Sequence, residues 1–220
     1  MGRGKFVAAF LLASGLVSLQ APIAKGDDAV PLSEAEIALF KTDHLKNVDH
    51  PETLEYRFEQ KSAGDTGYTD RVDLVIKEVH GDGTKGVYPD FLTGPHHVNN
   101  DPVVNATGNP LLLCFLEREV KQLSATTGGS KLYFQKRIRL AFVDKMTRQD
   151  IKITYNGKSV PAVSYTMTPF IGDEMISKFP DVEQKSYLFV LSDAVPGMIY
   201  EIQAKTPKLT EDAIFASVKK

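Results

Sequence analysis

The chain has 220 residues, of which 42% are hydrophobic and 25% are charged, the composition of an ordinary globular domain. Its formal net charge of −2 argues against a nucleic-acid-binding protein, because such a protein would carry a basic surface. The single cysteine, Cys114, excludes an intramolecular disulfide, so the hydrophobic core has to stabilise the fold.

Residues 1–24 have the pattern of a secretory signal peptide. Arg3 and Lys5 precede an apolar run, and small residues follow as far as Ala24. Removal of this segment would leave 24 basic and 28 acidic side chains, a net charge of −4. An uncleaved anchor stays open as the alternative, because Pro22 is unfavourable so close to a cleavage site.

The apolar run is shorter than the roughly 20 residues that a membrane-spanning helix needs, and no later stretch approaches that length. We therefore predict a periplasmic or secreted protein with no membrane span after removal of the signal. Residues 25–220 are expected to form a single domain.

The first predicted elements are a short helix and an antiparallel hairpin. Ser33 and Glu36 have the spacing of a capping box, so a helix should begin there and end near Leu45. Two runs follow in which apolar side chains alternate with polar ones, and a short turn separates them. The apolar members are Leu54, Tyr56 and Phe58 in the first strand and Val72, Leu74 and Ile76 in the second.

Residues 81–86 match the G-x-G-x-x-G pattern of a dinucleotide-binding loop. The residues that follow are extended rather than helical, so we interpret the run as a hairpin turn before a third strand. Residues 93–108 are rich in Asn, Pro, Gly and His and predict a long loop. His96 and His97 within it lack the spacing of zinc ligands, and no metal site is predicted.

Residues 109–144 give the longest continuous helical signal and predict a helical hairpin. Asn109 suits the N-cap, and a wide apolar face follows it. Gly128 and Gly129 separate the two helices, and Ser130 suits the cap of the second helix.

The remaining sequence predicts about four strands and a final helix. Asn156 and Gly157 indicate a tight hairpin turn between strands at 151–155 and 163–167. Two further strands are expected near residues 187–191 and 198–202, and Thr210 to Val218 resembles a short capped helix.

These elements predict an α+β fold, in which a curved antiparallel sheet of about seven strands packs on the central helical hairpin. The sheet could close into a half-barrel, and short helices are expected at both ends of the domain. Adjacent strands are joined by short turns rather than by helices, which favours an antiparallel sheet.

The pattern of residues that would indicate an enzyme is missing from the sequence. It has no G-x-S-x-G motif, no phosphate-binding loop and no carboxylate pair set in an apolar stretch. We therefore expect a protein that is not an enzyme and that uses no cofactor. An enzyme of unrecognised type is the least favoured reading.

The favoured function is that of an exported binding or carrier protein for an apolar or amphipathic small molecule. At the level of architecture, an exported antiparallel sheet with helices against its concave face resembles the periplasmic carriers of lipophilic molecules. The predicted ligand-binding residues face one another between the helical hairpin and the sheet. They are Leu112, Phe115, Leu116, Phe134 and Ile138 on the helices, and Tyr56, Phe58, Tyr187 and Phe189 on the strands.

The alternative is a cell-envelope interaction or assembly protein without a small-molecule ligand, whose partner would be another envelope protein. An apolar cavity of about 300 Å³ or more would favour the carrier. A filled core with an exposed apolar patch would favour the interaction protein.

Overall fold

The computed structural model describes residues 31–220. The predicted signal peptide over residues 1–24 lies outside the described residues. In the described part, nine strands form one open, curved antiparallel sheet that is accompanied by helices. The predicted α+β class and the antiparallel sheet are confirmed. Within residues 31–220, no helix combines the length and the apolar character that a membrane crossing requires.

The strands form two groups along the chain, one before and one after the central helical hairpin. Helix α1 spans Glu34–Glu36 and continues as a π-helical turn over Ile37–Lys41, and a 3₁₀ turn spans Gly94–His96. The strands of the first group are β1 (Glu52–Ser62), β2 (Tyr68–Val79), β3 (Lys85–Phe91) and β4 (Val103–Ala106). The later elements are α2 (Leu111–Thr127), α3 (Lys131–Asp144), β5 (Thr147–Tyr155), β6 (Lys158–Met167), α4 (Pro180–Glu183), β7 (Ser186–Leu191), β8 (Ile199–Lys205) and β9 (Leu209–Lys219).

The strand order explains why the helical hairpin is central. The spatial order is β4-β3-β2-β1-β9-β8-β7-β6-β5, so the chain starts near the middle of the sheet and runs outward to the β4 edge. Helices α2 and α3 then connect that edge to β5 at the opposite edge. The last strand returns to the middle, where Phe215 of β9 pairs with Tyr56 of β1.

The prediction of about seven strands is wrong, because the sheet has nine. One additional strand, β4, lies within the region that was predicted as a loop. It pairs with β3 only through Lys85 with Ala106 and Val87 with Val103. So short an edge strand leaves little alternation in the sequence from which it could be recognised.

The prediction of a C-terminal helix over Thr210 to Val218 is also wrong, because this segment is strand β9. Glu211, Ala213 and Phe215 are buried at a spacing of two, which is the period of a strand. β9 pairs with β1 on one side and β8 on the other. These tertiary contacts outweigh the weak helical pattern of the isolated segment.

The other predicted elements agree with the structure in type. The capping box of α1 is present, although that helix ends at Lys41 rather than near Leu45. Asn109 Oδ1 accepts a hydrogen bond from the Leu111 amide at 3.1 Å, so its side chain caps the start of α2. Gly128 ends α2 with a φ of 72°, and the hydroxyl of Ser130 caps α3.

Asn109 also fixes the position at which α2 begins. Its Nδ2 donates to the Tyr56 hydroxyl at 2.9 Å and to the Gly197 carbonyl at 2.8 Å. Its main-chain amide donates to Nδ1 of the buried His44 at 3.2 Å. Gly197 has no room for a side chain, because a Cβ there would lie 2.6 Å from Leu54 Cδ1. One buried amide thus ties α2 to β1 and to the turn before β8.

A cluster of four charged side chains lies between α2 and the strands beneath it. It consists of Arg118 and Glu119 on α2, Lys185 just before β7 and Glu211 on β9. Lys185 Nζ pairs with Glu119 Oε2, and Arg118 Nη1 lies 2.9 Å from Glu211 Oε2. The Tyr187 hydroxyl donates to Glu119 at 3.0 Å. Two acids and two bases make the cluster neutral overall.

The two buried carboxyls of this cluster respond differently to their surroundings. Burial raises the pKa of Glu119, while the Lys185 ammonium acts in the opposite direction. Burial also acts to raise the pKa of Glu211. The contact with Glu119, the charge of Arg118 and the hydrogen bond from Gln122 outweigh that effect, so the pKa of Glu211 is lowered.

Replacing Lys185 by Met tests whether the cluster holds α2 on the sheet. The variant leaves Glu119 buried without its cation, so we expect the free energy of unfolding to fall by about 3–5 kcal/mol. The matched control is Lys208→Met, because Lys208 pairs with Asp181 at the surface. That change should cost less than about 1 kcal/mol.

Urea unfolding at neutral pH provides the measurement for both variants. Combining Lys185→Met with Glu119→Gln should recover part of the loss, because the unpaired charge is then removed. Equal losses in the Lys185 and Lys208 variants would show that the cluster does not stabilise the fold.

A second pair of acids lies on the opposite face of the sheet. Side chains alternate along a strand, and Glu211 points towards α2, so Asp212 points away from it. Burial raises the pKa of the neighbouring Glu201 to about 7, and the charge of Asp212 adds to the effect. Burial likewise raises the pKa of Asp212, although a hydrogen bond from Gln203 opposes the change.

Glu201 should make the stability depend on pH. An unfolded chain releases this proton near pH 4.5, whereas the folded chain retains it up to about pH 7. The folded state therefore binds more protons in this window, and the contribution to stability falls as the pH rises. Glu201→Gln should remove this dependence and be more stable than the wild type at about pH 8, with a smaller difference at about pH 5. Urea unfolding at several pH values measures this difference. If the free energies of unfolding of the wild type and Glu201→Gln changed in parallel with pH, the raised pKa of Glu201 would be contradicted.

Candidate functional site

The nine residues predicted to bind a ligand lie together between the helical hairpin and the sheet, and all are buried. None of them has more than 9% of its surface exposed. Their aromatic rings contact further aromatic residues, with ring centroids 6.3 Å apart for Phe58 and Phe91 and 5.6 Å apart for Phe142 and Phe189. Most of this set therefore belongs to the packed core.

Leu116 and Ile138 also line an open groove on the helical layer. The groove has a volume of about 410 Å³ and lies where α1, α2 and α3 meet. Seven of its twelve lining residues are apolar. The main wall residues are Phe40, Leu113, Leu116, Val120, Ile138 and Phe142.

The spacing of side chains on α2 explains why this helix serves both the core and the groove. Leu112, Phe115 and Glu119 lie on the face that packs against the sheet. Leu113 and Val120 lie on the adjacent face and line the groove. The apolar stripe is wider than a single interface can bury, so it must also cover a second surface.

The third wall of the groove is α1, which is anchored to the end of α3. The Ser33 hydroxyl donates to the Phe142 carbonyl at 3.0 Å. The ring of Phe40 packs edge-on against the ring of Phe142, with centroids 4.8 Å apart. Arg148 Nε lies 2.7 Å from a carboxylate oxygen of Glu34. These contacts hold α1 in place as the third wall of the groove.

Charged side chains surround the apolar walls of the groove. Glu36 and Lys41 come from α1, Glu117 from α2 and Arg139 from α3. Among the wall residues, Leu113 is 57% exposed and Phe40 is 39% exposed. A large apolar surface with a polar rim is typical of a binding site.

The sequence analysis missed Phe40, Leu113, Val120 and Phe142 as candidate residues. A usable signal was present, because residues 111–116 are apolar without a break. A run of that length extends around the whole helix, so part of it cannot face the sheet.

The described part of the chain gives little support for a metal site or a reactive cysteine. Residues 31–220 contain no group of three or more His, Cys, Asp or Glu side chains that could hold a metal ion. His96 stacks on Tyr68, and His97 contacts the Leu92 carbonyl and Asn99. Burial raises the pKa of the Cys114 thiol to about 12, so the thiol is not activated as a nucleophile.

Comparison with known proteins gives no family assignment. No protein-family model matches the sequence, and no curated protein matches it significantly. Among solved structures, lipoprotein LppX of Mycobacterium tuberculosis has 8% identity and a TM-score of 0.36, with 86% of this chain and 97% of that chain covered.

Two further solved structures have weaker similarity. A β-barrel-like protein of a domain of unknown function from Brucella abortus has 9% identity and a TM-score of 0.31, covering 77% of this chain and 97% of that one. A LolA superfamily protein of Nitrosomonas europaea has 7% identity and a TM-score of 0.23, covering 84% and 92%. All three TM-scores are low, so the function has to be inferred from this chain's own residues.

Alanine substitutions at two leucines of α2 distinguish the groove from the core. Leu123 is 3% exposed in the core, and Leu123→Ala should cost about 4 kcal/mol because it leaves a closed cavity. Leu116 is 9% exposed and borders the groove, so Leu116→Ala should cost only about 2 kcal/mol. Urea unfolding measures both changes. Equal costs would mean that the groove is closed around Leu116.

Proposed function

We propose that this protein is a non-catalytic binding or carrier protein for an amphipathic small molecule. The apolar part of the ligand lies in the groove between α1, α2 and α3. The signal-like pattern of residues 1–24 supports export to the periplasm or the cell exterior. Leu116 and Ile138 are the two predicted ligand-binding residues that contribute to this groove.

The observation that carries the proposal is the groove itself. Its volume of about 410 Å³ falls within the range of about 300–1,000 Å³ that is typical of small-molecule sites. It is walled by leucine, valine, isoleucine and phenylalanine, and the contacts of Ser33 and Phe40 hold its third wall in place. A preformed apolar site avoids part of the ordering cost of binding.

The alternative function is interaction with another envelope protein, and one observation favours it. Leu132 and Met175 are each 74% exposed and lie outside the walls of the groove. Exposed apolar side chains of this kind occur at protein–protein contacts. The same variants can therefore test both readings.

Leu113→Asp tests the groove without disturbing the core, because Leu113 is largely exposed. We expect the variant to bind the uncharged apolar dye N-phenyl-1-naphthylamine at least about tenfold more weakly, because a carboxylate would enter an apolar site. The matched control is Leu132→Asp, an exposed leucine on α3 that does not line the groove. Its affinity for the dye should equal that of the wild type.

Fluorescence titration of the purified protein gives both affinities. Failure of the wild type to bind the dye would overturn the carrier proposal. Equal weakening in the two variants would mean that the dye binds to the general apolar surface of the helices, which favours the protein-interaction reading.

A further inference from the structure

A second groove meets the first one at three shared residues. It has a volume of about 470 Å³ and lies between α1, the start of α2 and the segment 99–109. Phe40, Leu113 and Glu117 line both grooves, so the two are neighbours on the helical layer. The two grooves differ in chemistry.

The second groove has a polar wall on its loop side. The polar side chains that line it beyond the shared Glu117 are Asn99, Asn100, Asp101, Asn105, Thr107 and Asn109. Neither lysine nor arginine is among the described residues that line it. The buried amide of Asn109 anchors one end of this wall to Tyr56 and Gly197.

We infer that the ligand is an amphipath with an uncharged, polyhydroxylated head, such as a glycosyl group. The apolar chain occupies the groove between the helices, and the head lies against the wall formed by residues 99–107. This inference rests on the proposed carrier function and specifies its ligand class.

The hydrogen-bonding capacity of the wall supports a hydroxylated head. Asp101, Asn105 and Thr107 line the groove and are exposed, so a ligand can reach their side-chain polar groups. Asn100 Nδ2 donates to the Val98 carbonyl at 2.9 Å. Its second amide proton and its Oδ1 can then bond to a ligand. Amide groups both donate and accept, and a sugar hydroxyl needs a partner of both kinds.

The charges in the second groove argue against an anionic head group, and its lining lacks the several aromatic faces of a typical ammonium site. The charged side chains that line it are Asp101 and Glu117, so a carboxylate or phosphate head would meet only repulsion there. A quaternary ammonium head is typically held by several aromatic faces. Phe40 is the single aromatic side chain among the described lining residues.

Three surfactants that share an alkyl chain but differ in the head group distinguish the contribution of the head to binding from that of the chain. Dodecyl maltoside, dodecanoate and dodecyltrimethylammonium are titrated by calorimetry into the purified protein below their critical micelle concentrations. We expect the maltoside to bind at least about tenfold more tightly than the other two, because its hydroxyls pair with the polar wall.

The double variant Asn100→Ala/Asn105→Ala should remove most of this preference while leaving dodecanoate binding unchanged. Asn105 is exposed on edge strand β4, so its replacement should not prevent folding. The matched control is Gln149→Ala, because Gln149 is an exposed amide on the opposite edge strand β5. This control should retain the wild-type order of affinities.

The outcomes separate this inference from the carrier proposal. If all three surfactants bind equally well and Leu113→Asp weakens each of them, the apolar groove is a binding site but the inferred head is wrong. If the ammonium surfactant binds most tightly, or if the double variant keeps the full preference for maltoside, the inferred head is also wrong. If none of the three binds, the carrier proposal fails together with this inference.

Discussion

The buried ion pair between Glu119 and Lys185 is the constraint on which the rest of the structure depends. A carboxylate in the core would be very costly unless a cation faced it, and Lys185 supplies that cation from the segment just before β7. Arg118 and Glu211 form the second pair of the same cluster, from α2 to β9. α2 connects the two edges of the sheet, and these pairs fix its rotation as well as its position.

A fixed rotation of α2 explains why apolar residues stay exposed. Turning the helix so that Leu113 became buried would move Glu119 away from Lys185 and leave both charges without partners. That loss would exceed the gain of about 1.5–3 kcal/mol that burial of one leucine provides. The exposed wall of the groove is therefore enforced by the polar contacts on the other face of the same helix. The groove therefore keeps its shape through contacts within the protein.

Much of the fold could be predicted from the sequence, and much less of the site. The capping box at Ser33, the cap at Asn109 and the hairpin turn at Asn156 act locally, so their signals lie within a few residues. β9 was mistaken for a helix because its pairing with β1 joins segments about 150 residues apart, as in Phe58 with Ala213. The groove depends on three helices meeting, which no local pattern records.

Most of the nine residues predicted to bind a ligand lie in the packed core, while Leu116 and Ile138 also line the groove between α1, α2 and α3. Phe134 and Phe189 fill the space beneath the hairpin, where a cavity was expected, and the polar cluster around Glu119 occupies the remainder. A carrier could have placed its ligand in that space only by giving up the contacts that hold α2. The proposed ligand site lies on the outer side of the hairpin, where α1 supplies a further wall. The two neighbouring grooves on that side differ, since one is lined mainly by apolar side chains and the other also by several amides, and the proposed amphipathic ligand would use both.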